Sequence, residues 1–130
     1  MHIAEMPPNS ALVIDDDRAI RTLVRTILTR QGFTVEEAAG GREAIARIEQ
    51  QQYDVLLLDL MMTDGSGEDV LDALRVSRFA PRKCVIILSA VSAGKLAALE
   101  SPNVAAKLRK PFDLDELVEA VRTCVFVASN

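Results

Sequence analysis

Five residues of this chain carry reactive groups at the ends of apolar runs. Val55, Leu56, Leu57 and Leu58 lead into Asp59. Leu12, Val13 and Ile14 lead into Asp15 and Asp16, and Val85, Ile86, Ile87 and Leu88 lead into Ser89. A weaker run ends at Lys110. Apolar runs of this length read as buried strands, and a charge at the tip of a buried strand needs a reason. Asp15, Asp16 and Asp59, brought together, would repel and raise one another's pKa. A divalent cation removes that conflict, and carboxylates with backbone carbonyls and waters suit magnesium. Lys110 supplies a fixed positive charge that can pair with a carboxylate or a phosphoryl oxygen. Ser89 offers a hydroxyl donor. A carboxylate nucleophile, a metal and a cation are the parts needed to form an aspartyl-phosphate. No Gly-rich phosphate loop is present, and no Ser/His/Asp triad is available, because the single histidine, His2, lies in the Pro-containing leader.

The elements that must position these groups alternate between strand and helix patterns. Residues 11–15 read as a first strand. Ile20, Leu23, Val24, Ile27 and Leu28 fall at helical spacing, with Asp17 as N-cap and Gly32 as the stop. Residues 33–38 read as a shorter, more polar strand, broken by Gly40 and Gly41. Ala44, Ile45 and Ile48 mark a second helix. Residues 54–60 form the third strand, and 63–67 a loop with an Asp64–Gly65 turn. Val70, Leu71 and Leu74 mark a third helix, and 83–89 a fourth strand. Residues 93–100 read as a short Ala-rich helix stopped by Pro102. Residues 105–110 read as a poor fifth strand. Asp113 and Glu116 have capping-box spacing ahead of a last helix with Leu114, Leu117, Val118, Val121 and Val125 on its core face.

Five such units predict an α/β fold, a single doubly wound five-stranded parallel sheet with helices on both faces. Strands 1, 3 and 4 are nearly all apolar and belong in the centre. Strands 2 and 5 carry Glu36, Glu37, Lys107 and Arg109 and belong at the edges. The order is then 2-1-3-4-5, with ligands bound beyond the carboxyl ends of the strands. The predicted organisation is a leader over 1–10, the domain over 11–127 and a tail over 128–130.

Bulk properties narrow the function. The 130 residues carry a net charge of −4 and a mean hydropathy of +0.16, which suits one folded domain. No Lys/Arg block exceeds two adjacent residues, so no direct nucleic-acid footprint is expected. No apolar run is long enough for a membrane span and no signal-peptide pattern opens the chain, which predicts a cytoplasmic protein. Cys84 and Cys124 fall in separate apolar stretches and read as two reduced core thiols.

Taken together, LVIDDD, LLLDLMM, IILSA and KPF resemble the response-regulator receiver domain of two-component signalling. The resemblance covers about residues 11–127, with Asp59 44 residues after Asp15, Ser89 30 after Asp59, and Lys110 21 after Ser89. It implies that Asp59 is the phosphoacceptor. It implies that Asp15, Asp16, Asp59 and the Met61 carbonyl hold Mg2+, and that Ser89 and Lys110 bind the phosphoryl group. Pro111 resembles the family's cis-linked proline, which would aim Lys110 inward. The implied donor is a histidine kinase or a histidine phosphotransfer protein. The implied output is a downstream protein target, read from the face built by helix 4, strand 5 and helix 5. A stand-alone receiver is expected, with an excised domain of a longer protein as the alternative. The apolar ending Val125, Phe126, Val127 and Ala128 suits a dimer or partner surface on the last helix, and core packing explains Val125 equally well.

Three positions depart from the family pattern. Thr63 replaces a usual proline. Lys107 stands where an aromatic ring usually swings inward, so signal transfer is expected to use shifts of the strand 4–helix 4 loop or salt-bridge exchange at Lys107. Met61 and Val91 make the entrance to the acceptor drier than usual. Three rival readings are weaker. A degenerate receiver would lack one of the site residues, and none is missing. An aspartate-nucleophile phosphatase needs a second acid two residues after the nucleophile, where Met61 stands. A flavodoxin-like cofactor binder needs a Ser/Thr/Gly-rich loop where Asp15, Asp16 and Asp17 would repel phosphate. No turnover enzyme acting on an external substrate is expected.

Overall fold

The computed structural model describes residues 9–62, 67–76, 84–99 and 104–128. Within these, strands and helices alternate as β1 (Ser10–Ile14), α1 (Arg18–Arg30), β2 (Thr34–Ala38), α2 (Gly41–Gln50), β3 (Val55–Leu58), α3 (Gly67–Val76), β4 (Cys84–Ser89), α4 (Ala93–Ala98), β5 (Val104–Arg109) and α5 (Leu114–Ala128). The sheet is all parallel in the order β2-β1-β3-β4-β5. The apolar strands β1, β3 and β4 are central and the charged strands are edges, as the composition predicts. Boundaries differ from the sequence reading by one or two residues.

Alternation along the central strands divides the core into two layers. Ala11, Val13, Val55, Leu57, Cys84, Ile86 and Leu88 face one side, against Val24, Ile27 and Leu28 of α1 and Leu117, Val121 and Cys124 of α5. Leu12, Ile14, Leu56, Leu58, Val85 and Ile87 face the other, against α2, α3 and Leu96 of α4. Each fully buried Leu or Ile contributes about 1.5–3 kcal/mol. A one-residue register slip would swap these layers, so the burial pattern pins the register. At the edge, the β4–β5 ladder shifts between Val85 and Ile86, which pair with Val104 and Ala106.

Local signals act as read. Asp17 caps α1 by accepting the Ala19 and Ile20 N–H groups. Gly32 lies at φ 92°, in the left-handed region that glycine enters without a Cβ clash. The Asp113 N–H donates to Glu116 Oε1 at 3.0 Å, one half of the capping box. Val125 packs against the core. The side chains of residues 126–128 lie outside the described residues, and so does the surface they were expected to form. Residues 1–8 of the expected leader, Thr63, the Asp64–Gly65 turn and the Pro102 stop also lie outside them, while Ser10, placed in the leader, opens β1.

One expectation is overturned. Cys84 and Cys124 are joined in a disulfide, not held as separate thiols. Forty residues apart in sequence, they meet because β4 opens directly under α5, with their Cα atoms 6.0 Å apart. That separation lies within the range a disulfide spans. Among the described residues no helix is long and apolar enough to cross a membrane.

Candidate functional site

The sheet register delivers the reactive residues to one edge. Ile14 is aligned with Leu58 and Leu58 with Ile87, so Asp15 and Asp59 stand one step past aligned neighbours. Ser89 is aligned with Arg109, which puts Lys110 one step beyond. Each backbone is fixed by a bond that carries the ladder into the site. The Asp15 N–H donates to the Ala38 carbonyl at 3.1 Å, that of Asp59 to Ile14 at 2.9 Å, and that of Lys110 to Ser89 at 2.8 Å.

The side chains converge. Carboxylate oxygens of Asp15, Asp16 and Asp59 all lie within 4.8 Å of one another. Asp15 and Asp59 are buried and Asp16 is exposed. Lys110 Nζ donates to Asp15 Oδ2 at 2.6 Å and lies 3.5 Å from Asp59 Oδ2. Asp59 Oδ1 accepts the Met61 N–H at 3.1 Å. Asp15 Oδ1 accepts the Asp17 N–H at 2.9 Å. Burial pushes the Asp59 carboxyl above the ordinary carboxylate range; the Met61 N–H and Lys110 oppose that shift, and the Asp15 charge adds to it. Three carboxylates against one ammonium leave two negative charges, and all the donor atoms are hard oxygens. That set fits a divalent magnesium ion and suits no soft metal.

Ser89 is fully buried, and its Oγ accepts the Val91 N–H at 3.4 Å. The Lys110–Pro111 peptide is cis, as the resemblance implies. Met61 has a side chain 57% exposed. With Leu60 and Val91 it lines a cleft of about 410 Å³ rimmed by Glu68 and Lys95. Lys107 is half-buried, and its ammonium donates to the carbonyls of Leu99 and Ala97 at the end of α4. Among the described residues the partners of its ammonium are these carbonyl oxygens. Lys107 sits opposite Ile87, two rungs before Ser89 pairs with Arg109, so it reaches the helix end and not the acidic cluster.

Two supporting residues escaped the sequence reading. Arg21, one helical turn into α1, donates from Nη1 to the Asp15 carbonyl at 2.7 Å and from Nε to Glu37 Oε1 at 3.1 Å. Glu37 also takes Arg25, whose hydrogen bond holds its carboxyl below the usual range against the cost of burial. Gly67 opens α3 against the end of β3, and a Cβ there would stand 2.4 Å from the Asp59 carbonyl oxygen. Its N–H donates to the Leu60 carbonyl at 3.1 Å. In the sequence reading Gly67 ends the 63–67 loop, and a glycine just ahead of a predicted helix was the only signal for that approach; nothing in the spacing marked Arg21.

Comparisons with known proteins agree with this geometry. The family model described as the response regulator receiver domain matches residues 11–122. The acid tolerance regulatory protein ActR of Rhizobium meliloti is 38% identical over 121 residues, covering 88% of this chain and 59% of its own. The transcriptional regulatory protein TrcR of Mycobacterium tuberculosis is 34% identical over 94% of this chain and 47% of its own. The chain thus spans about half the length of these curated relatives. Among solved structures, the response regulator TrrA of Thermotoga maritima, in complex with Mg2+-BeF, has a TM-score of 0.77 at 29% identity, over 89% of this chain and 98% of that one. The signal receiver domain of a putative LuxO repressor protein from Vibrio parahaemolyticus reaches a TM-score of 0.85 at 27% identity, over 95% of this chain and 94% of that one. A parallel sheet in the order 2-1-3-4-5, an acidic cluster at its carboxyl edge and a family match over most of the sequence make this chain a member of the response regulator receiver domain family of two-component systems.

Proposed function

We propose that this domain is a phosphorylation-activated switch in which Asp59 accepts a phosphoryl group from a histidine kinase or histidine phosphotransfer protein. The observation that carries the reading is the convergence of Asp15, Asp16 and Asp59 within 4.8 Å, with Lys110 bridging two of them. An Asp59 carboxylate oxygen forms the new P–O bond as the donor's P–N bond breaks, and the imidazole nitrogen keeps the electron pair and takes a proton. Magnesium, when held by Asp15, Asp16, Asp59 and the Met61 carbonyl, supplies charge neutralisation to the carboxylates and the phosphoryl oxygens.

Asp59 is anchored for attack by the ladder bond on its N–H and by the Met61 N–H on Oδ1. Lys110 is held at the cluster by Asp15 and offers its ammonium to a phosphoryl oxygen on Asp59. The Ser89 hydroxyl offers the second donor. The phosphoryl group adds about −1.5 to −2 charges in a buried site. Lys110 and Ser89 move toward it, and their shifts pass into the loop before α4 and into β5 and α5, the face read by a downstream protein target. Lys107, which ties β5 to the end of α4, lies on that route, and Pro111 carries it from Lys110 toward α5. Hydrolysis by water returns Asp59 and inorganic phosphate, so the domain promotes its own phosphorylation and dephosphorylation without turning over an external substrate. The two-component setting is that of a cytoplasmic protein.

The test is incubation with magnesium and a small-molecule phosphodonor, read by intact mass. The wild type gains one phosphoryl group; Asp59→Asn gains none, and chelation of magnesium abolishes the gain. Failure of the wild type to gain phosphate from any donor would leave a phosphate-independent protein-binding receiver.

A further inference from the structure

The phosphoryl chemistry has no use for the Cys84–Cys124 pair. Cys84 is the first residue of β4 and Cys124 lies on α5; both are buried, 4% and 2% exposed. They share the core layer of Leu117 and Val121. Leu117, Val121 and Cys124 follow one another at helical spacing, so the bridge pins the last part of the buried face of α5. It sits at the amino end of β4, five residues from Ser89. At about 3.3 Å per residue that is about 17 Å from the carboxyl edge where Asp59 stands.

The loop it closes is the second point. The residues it joins are 40 apart in sequence. Between them lie Ser89, α4, Lys107, β5 and Lys110, every element from the buried hydroxyl to the last helix. Reduced, the two thiols pack as small apolar groups and α5 is held by side-chain contacts alone. Oxidised, α5 is bonded to the central sheet. Redox state therefore changes how far α5 can move on the sheet and leaves the acidic cluster untouched.

We infer that Cys84 and Cys124 form a reversible thiol–disulfide site, and that its oxidation clamps α5 to β4 at the end of the sheet opposite the acidic cluster. The oxidant class is a low-molecular-weight disulfide such as glutathione disulfide. One cysteine thiolate attacks a sulfur of the oxidant, forming a mixed disulfide and releasing one glutathione thiolate. The second cysteine thiolate attacks the protein sulfur of that mixed disulfide and releases the other. Two protein thiols lose two protons and two electrons, and one glutathione disulfide becomes two glutathiones. Burial makes the exchange wait on local opening. Cys124 stands four residues before the end of α5, where helices open at least cost.

The experiment equilibrates the wild type in mixtures of reduced and oxidised glutathione, traps free thiols by alkylation after a denaturing quench, and reads intact and peptide masses. Both thiols are expected to disappear together as the oxidised fraction rises, to yield a linked peptide pair containing residues 84 and 124, and to return with excess reductant. The oxidised form should melt roughly 5 °C or more above the reduced form of the same chain. Amides in the last turns of α5 should exchange at least about tenfold more slowly. Cys124→Ala should lose the redox dependence of both readouts. Two alkylated thiols at every mixture, or stable single glutathione adducts, would overturn the site. A bridge that forms with unchanged melting and exchange would overturn the clamp. A reduced wild type that does not fold would overturn reversibility. Phosphoryl acceptance at Asp59 should agree within about twofold between the two forms. Should neither form accept phosphate, the phosphoryl reading fails while the thiol and melting results still decide this one.

Discussion

Lys110 is held closer to Asp15 than to Asp59: its Nζ lies 2.6 Å from Asp15 Oδ2 and 3.5 Å from Asp59 Oδ2. The lysine is thus parked on a neighbour of the proposed acceptor and has a short distance to travel when charge builds on Asp59. Lys110→Ala leaves the clustered carboxylates without that cation. The variant should lose about 1–3 kcal/mol of stability in chelator and recover much of it in magnesium. Its magnesium affinity should rise, because the field at the cluster becomes more negative. Denaturant melts with and without magnesium, and calorimetric titration, check both; weaker magnesium binding would show that Lys110 organises the cluster.

Gly67 has no room for a side chain. A Cβ would meet the Asp59 carbonyl oxygen at 2.4 Å and the Leu60 Cα at 2.6 Å, backbone atoms that cannot rotate away. Gly67→Ala must push α3 off the acceptor strand. The expected result is a loss of about 1–3 kcal/mol, with phosphoryl acceptance slowed more than stability alone would explain. Chemical denaturation and the phosphodonor mass assay on folded protein measure the two effects separately.

Lys107 closes the carbonyl end of the short helix α4. Lys107→Ala frees those carbonyls from their cation, so amides of residues 96–99 should exchange several-fold faster while global stability falls by less than about 1 kcal/mol. Binding of the partner should then depend less on phosphorylation. Identical partner binding by the variant and the wild type in both phosphorylation states would remove Lys107 from signal transfer.

Met61 and Val91 flank the cleft beside the acceptor with apolar side chains. Met61→Asn with Val91→Glu should hydrate that entrance and shorten the lifetime of the aspartyl-phosphate, several-fold or more. Decay of the phosphorylated mass after donor removal gives the rate, and an unchanged rate would show that these positions do not control water.

The single tyrosine reports on the other core layer. Tyr53 is buried and donates to Glu36 Oε1 at 2.8 Å, and burial with that carboxylate pushes its hydroxyl up to about 12. An unfolded tyrosine titrates near 10. The folded protein therefore binds this proton more tightly, so the contribution is complete below about pH 10 and is lost as pH rises toward 12. The phenolate absorbance of the folded chain should appear about two pH units above that of the unfolded chain. Glu36→Gln should bring it down.

Much of this protein is legible from its residues in order. Three apolar strands leading into Asp15, Asp59 and Ser89, with a weaker fifth strand leading into Lys110, determine a parallel sheet and one edge that gathers these groups. Strand-end position depends only on local pattern, and a parallel sheet carries all its carboxyl ends to one side. The charged strands β2 and β5 fall at the edges for the same kind of reason, since Glu36, Glu37 and Lys107 need water or partners that a central strand cannot supply. What depends on packing between distant segments was decided only in three dimensions. The Arg21–Asp15–Glu37 link, the contact of Gly67 with the acceptor strand and the Lys107 hold on α4 each join residues that no periodicity relates. The cysteines are the clearest case. In sequence Cys84 and Cys124 are small apolar residues in separate stretches. Only the crossing of α5 over the start of β4 brings their Cα atoms to 6.0 Å and makes a bond between them.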